Sequence, residues 1–301
     1  MMPLMSEKFR NERVLKVFRE ISPTFSRCFI GYADWTKEAM DSFADYYDKT
    51  FRNAGTLLYA VPGRMPMITD DFNAEEYCEK VASNLDYLLN VRKCTKIRYY
   101  CVTNELSCGN TYAYLSRDLG LFKKLYENLY KAFGRHKLGI GLIATDCVDP
   151  RNYYQIDWAI RNMDEITEMY CAHLYAEGPV PGNPNNYKYL CDSLAGPLES
   201  VKTVEKRFML GEFGYIYPGR NEFSLPMGND SAYCVDVPEK EPDFAIALPE
   251  AAMAAINGGC FAVVFWTMFD YPDPFICENG DTDAEKARYD AARFSGFGLP
   301  Y

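Results

Sequence analysis

Apolar positions along this chain alternate between two periods. Val14, Leu15, Phe18 and Ile21 recur at helical spacing and stop at Ser22-Pro23, which predicts a helix leading into a strand at Arg27–Tyr32. Met40, Phe43, Tyr47 and Phe51 mark a second helix closed by Gly55, followed by a strand at Thr56–Val61. Asn73 and Glu76 make a capping pair ahead of a helix buried through Tyr77, Val81, Leu85 and Leu88. The run Tyr99-Tyr100-Cys101-Val102-Thr103 reads as a buried parallel strand that ends on Asn104-Glu105. A helix face at Phe122, Leu125, Leu129 and Ala132 then leads to a strand at Leu138–Ala144. Another at Ile156, Ala159, Ile160 and Met163 precedes a strand at Met169–Leu174. Leu190, Leu194, Leu198 and Val201 mark a helix kinked at Gly196-Pro197, ahead of the apolar run Phe208–Leu210 that closes on Gly211-Glu212. A Pro- and Gly-rich loop of about two dozen residues, an alanine-rich helix around Ala251–Ile256 and an apolar strand at Cys260–Met268 carrying Trp266 complete the pattern.

Strands alternating with helices throughout, with no linker or composition break, predict one domain over residues 1–301 built on a parallel sheet covered by helices. An open doubly wound sheet would carry a glycine-rich nucleotide turn. Gly139-Ile140-Gly141 lacks the third glycine and falls within a strand, so a (β/α)8 barrel is favoured, with polar residues at the carboxyl ends of several strands. The barrel is expected to be incomplete. The chain opens on a helix at Asn11–Ile21 where a first strand belongs, and only Thr282–Phe294 is left for the last helix. A missing first strand would leave the edges of Arg27–Tyr32 and Phe261–Thr267 unpaired, as expected of a piece of a longer protein or of a misassigned start.

Composition narrows the chemistry. A 48% hydrophobic chain has ample core, and a net charge of −10 without any Lys/Arg block disfavours nucleic-acid and anionic-membrane partners. No stretch is apolar for long enough to span a membrane, and Met1-Met2-Pro3-Leu4-Met5 lacks a basic region, so no signal peptide is expected in these residues. Eleven cysteines without a C-x-x-C pair are expected to be free buried thiols, which points to a cytoplasmic setting. With two histidines, His136 and His173, and no clustered carboxylates, neither a metal nor another cofactor is expected.

The chemistry left is that of carboxylates. Two of them facing each other at a barrel mouth can cleave a glycosidic bond, provided that their surroundings keep one ionised and the other protonated. Thr103-Asn104-Glu105, His173-Leu174-Tyr175, Gly211-Glu212-Phe213-Gly214 and Trp266, in that order on successive strands, resemble the large clan of retaining (β/α)8 glycoside hydrolases (clan GH-A), whose fourth, sixth, seventh and eighth strands carry such residues. The resemblance implies a β-linked (equatorial) oligo- or polysaccharide substrate, Glu105 as acid/base and Glu212 as nucleophile. It also implies Asn104 on the sugar hydroxyl beside the anomeric carbon and Tyr175 holding the nucleophile. His173 would line the site near the acid, and Trp266 would lie under a sugar ring. Arg27 resembles the arginine that clan members place beneath the nucleophile.

Each motif alone is weak, and their joint order carries the reading. The competing reading is a silent barrel that binds carbohydrate, or an inactive piece of a longer glycosidase. An aldolase would need a strand-end lysine and a metallohydrolase His and Asp ligands, and neither pattern occurs. A thiol nucleophile at Cys101 is rejected, because strand alternation sets Cys101, Thr103 and Glu105 on one face with Cys101 deeper. Asp34, Arg64, Asp146, Glu177 and Asp270 sit just past strands, where they could bond sugar hydroxyls, although capping or mutual pairing is the favoured role for any one of them.

Overall fold

The computed structural model describes residues 12–62, 68, 72–107, 114–177, 187–216 and 242–265. Trp266, Arg64, Asp270 and the segment Thr282–Phe294 lie outside them. In chain order the elements are α1 (Glu12–Ile21), β1 (Phe25–Phe29), α2 (Lys37–Thr50), β2 (Leu57–Val61), α3 (Ala74–Asp86), β3 (Ile97–Tyr100), α4 (Leu119–Arg135), β4 (Gly141–Val148), α5 (Tyr154–Met163), β5 (Met169–Glu177), α6 (Lys188–Lys202), β6 (Arg207–Ile216), α7 (Pro242–Gly258) and β7 (Ala262–Phe265). Hydrogen-bonded neighbours follow chain order, β1-β2-β3-β4-β5-β6-β7. Parallel strands in sequence order, each followed by a helix, are the architecture of a (β/α)8 barrel, here with seven of the eight strands among the described residues.

Two compact units divide the chain: Met1–His173 with Glu199–Met209, and Leu174–Leu198 with Leu210–Tyr301. In the first, the strand pairs from β1-β2 through β4-β5 are all parallel. Its helices start where side chains satisfy the free N–H groups of the first turn. Thr36, Asn73 and Asp118 accept from the backbone N–H groups of Ala39, Glu76 and Leu121 at 3.2, 3.1 and 3.0 Å. The α3 face Tyr77, Cys78, Val81, Ala82 and Leu85 and the α4 face Phe122, Leu125, Tyr126, Leu129 and Phe133 are buried, and the Cys78 thiol donates to the Leu125 carbonyl at 3.5 Å.

Several strands differ from the sequence expectation in ways that matter for the site, β6 by running on to Ile216 with Glu212 inside it. The first strand ends at Phe29, because Gly31 turns the chain at φ +82°, where a Cβ would come within 2.8 Å of the Tyr100 ring. β4 starts at Gly141 and runs on to Val148, carrying Asp146 inside the strand. Helix α6 continues through Pro197. In the second unit, Phe213 on β6 packs edge-on against Phe265 on β7, with ring centroids 5.8 Å apart.

Candidate active site

β3 ends at Tyr100, and Asn104-Glu105 follows in a bend. Thr103 fixes that bend by donating to the Thr145 carbonyl at 3.1 Å, and Ser107 does so by donating to the Val148 carbonyl at 3.0 Å. Glu105 adopts φ 59°, in the left-handed region that non-glycine residues enter at a cost of about 1–3 kcal/mol when the surroundings impose it. Its carboxylate is 19% exposed, so the turn leaves a carboxyl group at the strand end that is mostly enclosed yet reachable. Cys101, below it, is fully buried against the Tyr126 hydroxyl at 3.3 Å, and burial pushes its thiol up to about 12. A thiol held protonated in this way is no nucleophile.

The centre of the first unit's polar cluster is Asp146. Thr145 pairs with Cys171 and Cys147 with Ala172, so Asp146 is an extra residue in β4, a bulge with φ 58°. A bulge re-aims a side chain that plain alternation would place elsewhere. The carboxylate so directed is fully buried and meets five donors. Oδ1 accepts from the Tyr59 hydroxyl at 2.6 Å and from the Cys171 thiol at 3.2 Å, and His173 Nε2 lies 2.9 Å away. Oδ2 accepts from Arg27 Nη2 at 2.8 Å and from the Glu105 backbone N–H at 3.4 Å.

Burial alone would raise the pKa of Asp146. The charges of His173 and Arg27 outweigh it and hold the carboxyl far below the ordinary range. Tyr59 and Cys171 are pushed the other way, chiefly by burial and then by the Asp146 charge, so both stay neutral donors.

Arg27, on β1, stacks over the rings of Phe29 and Tyr59 at 5.0 and 5.6 Å and also donates to Asn104 Oδ1 at 2.6 Å. It therefore orients Asn104 and neutralises Asp146. His173, fully buried on β5, presents Nδ1 to Glu105 Oε1 at 3.2 Å while Tyr153 holds its backbone carbonyl at 2.8 Å. Burial would raise the Glu105 pKa, but the hydrogen bond and charge of His173 lower it overall. In the second unit the Tyr175 hydroxyl donates to Glu212 Oε2 at 2.8 Å, and Glu212 is 5% exposed.

Of the residues singled out from the sequence, Arg27, Asn104, Glu105 and His173 thus meet in the first unit, and Tyr175 and Glu212 meet in the second. Asp146 was expected to cap or pair in preference to bonding a sugar hydroxyl. Its signal in the sequence was only its place just past an apolar run.

No family model matches the chain, and no curated protein matches it. Solved structures do. The GH39 enzyme from Xanthomonas axonopodis pv. citri is 9% identical with a TM-score of 0.60, over 88% of this chain and 57% of that one. A glucosidase from Croceicoccus marinus is 10% identical with a TM-score of 0.57, over 84% and 55%. An exo-β-1,4-mannosidase from Opitutaceae bacterium strain TAV5 is 12% identical with a TM-score of 0.57, over 96% and 52%. The likeness is one of fold. This chain spans about half the length of each of these proteins.

Asp146, Cys171 and His173 also offer ligand atoms within 4.8 Å of one another. The Arg27 cation on Asp146 and a thiol that burial keeps protonated make this trio a hydrogen-bonded cluster, poorly suited to a second cation. All eight cysteines among the described residues are free, and all but Cys191 are buried. No helix among the described residues is long and apolar enough to cross a membrane.

Asp146 gives acid stability a definite sign. Its folded pKa is depressed, so its contribution is fully present above the ordinary carboxylate value of about 3.9 and drains away as the pH falls below it. Urea unfolding followed from pH 6 to pH 2 is expected to show stability dropping below about pH 4, with a shallower drop in Asp146→Asn. Equal slopes in the two proteins would count against the assignment.

Proposed function

We propose that the chain is a retaining glycoside hydrolase that cleaves a β-linked, equatorial glycosidic bond by double displacement, with Glu105 as acid/base and Glu212 as nucleophile. One observation carries this reading. Each of the two carboxylates is held by a side chain of β5, Glu105 by His173 at 3.2 Å and Glu212 by the Tyr175 hydroxyl at 2.8 Å. The fold likeness to a glucosidase and a mannosidase supports it.

In the first step Glu212 attacks the anomeric carbon while Glu105 protonates the departing oxygen. In the second, Glu105 takes a proton from the water that releases the sugar from Glu212. Asn104, fixed by Arg27, would bond the hydroxyl beside the anomeric carbon, and Trp266 would supply an apolar platform under the ring.

The test is a screen of the purified protein on chromogenic β-glycosides, with Glu212→Gln as control. Turnover by the parent and none by the control is the expected result, together with a separation of about 5 to 5.5 Å between the two carboxyl groups in a crystal structure. Sugar binding without turnover on any glycoside would identify a carbohydrate-binding barrel.

A further inference from the structure

Double displacement uses Glu105 and Glu212 but leaves unexplained why a fully buried carboxylate, Asp146, sits behind the acid. Both ring nitrogens of His173 face carboxylate oxygens, Nε2 toward Asp146 at 2.9 Å and Nδ1 toward Glu105 at 3.2 Å. A neutral imidazole has one N–H, so it can donate to only one of them. Asp146 has no proton to offer. Arg27 from β1, Tyr59 from β2, Cys171 from β5 and the Glu105 backbone N–H all donate to it. Of these neighbours only Arg27 is charged, since burial keeps Tyr59 and Cys171 neutral. The Nε2 position must therefore carry hydrogen in every state, whereas Nδ1 can meet Glu105 either as an N–H facing a carboxylate or as a lone pair facing a carboxylic acid.

We infer that Asp146 is a positioning residue: it fixes the Nε2–H tautomer of His173 and so makes His173 and Glu105 share one proton, which is the proton delivered to the leaving group. The tautomer assignment rests on geometry alone, and the delivery rests on the glycosidase reading above.

When the glycosidic bond breaks, the Glu105 proton goes to the leaving oxygen, which keeps the bonding pair, and Glu105 is left as a carboxylate beside the Nδ1 lone pair. That juxtaposition of two acceptors raises the affinity of the pair for a proton. Glu105 then takes one from the attacking water while the bond to Glu212 breaks and its electron pair returns to Glu212. His173 keeps its Nε2–H throughout. The depressed pKa of Glu105 fits the resting state, with the shared proton drawn toward the imidazole between its two anions.

The chain has two histidines, and His136 is half-buried against Glu79 and Asp86, away from this cluster, so His136→Gln leaves one imidazole to observe. Nitrogen-15 NMR of its ring in that variant is expected to show Nε2 protonated across the accessible pH range, with Nδ1 alone titrating. A tautomer with Nδ1–H and a bare Nε2 at any pH would overturn the inference. Asp146→Asn removes the anion that helps hold the shared proton. The alkaline limb of its kcat/KM profile is expected to move down by about one pH unit or more, a loss of about tenfold at pH values above the new limb on substrates with poor leaving groups and little loss on activated ones. A folded Asp146→Asn protein with an unmoved profile would also overturn it. If no glycoside is turned over while the ring spectrum is as expected, the tautomer assignment is supported and the failure belongs to the glycosidase reading.

Discussion

Glu212→Ala is expected to lower kcat by about ten-thousandfold or more on every glycoside the parent protein hydrolyses, because the proposed covalent intermediate forms on this carboxylate. Glu105→Ala is expected to behave differently. Its loss should reach about a hundred- to ten-thousandfold on alkyl glycosides, whose leaving group needs a proton, and nearly vanish for the first step on dinitrophenyl glycosides, which depart without one. For those activated substrates the second step becomes limiting, since Glu105 no longer activates the water, and a burst of phenolate followed by a slow steady rate should appear. Steady-state and stopped-flow kinetics on a leaving-group series would show this. Equal losses from Glu105→Ala across the whole series would remove Glu105 from the acid role. In both variants the fold should persist, since each substitution removes a carboxylate with its desolvation cost rather than an apolar packing group.

The second large effect is on stability. Arg27 and Asp146 form an ion pair with side chains 3% and 0% exposed, and removing one member of such a pair leaves the other charge buried and uncompensated. Arg27→Met is therefore expected to destabilise the fold by about 3–5 kcal/mol, read as a fall in the urea midpoint without a change in its slope. Replacing both residues, as in Arg27→Met with Asp146→Leu, should recover much of the loss, because a well-packed apolar pair carries no desolvation penalty. A loss below about 1 kcal/mol in the single variant would mean that water reaches the pair, as it does for surface ion pairs. The double variant separates stability from function, since it should fold while losing the anion behind His173 and the group that orients Asn104.

Arg27 is an instructive case of what a sequence conveys. Its place at the opening of a strand and its resemblance to an arginine beside a nucleophile were visible in the sequence, yet Asp146 and Asn104, to which it donates, lie 119 and 77 residues away in the chain. Nothing local to Arg27 names them. Glu105 was legible as a strand-end carboxylate, but the strand stops at Tyr100, and the carboxyl group is presented by a left-handed turn that the Thr103 and Ser107 hydroxyls pin to β4.

The amino-acid sequence by itself determined the alternation of strands and helices, the starting cap at Asn73, the buried inert thiol at Cys101 and the order of Asn104-Glu105, His173, Tyr175 and Glu212 along the chain. These follow from local periodicity, from capping chemistry and from which side chains leave water, all of which act within a few residues. The tertiary structure alone decided that β4 runs on to Val148 with a bulge at Asp146, and that the bulged carboxylate gathers Arg27, Tyr59, Cys171 and His173. The physical reason is that a bulge arises from the register between two strands, and a buried carboxylate is stable only where donors from four separate segments converge on it. Neither condition is written into any one stretch of the chain.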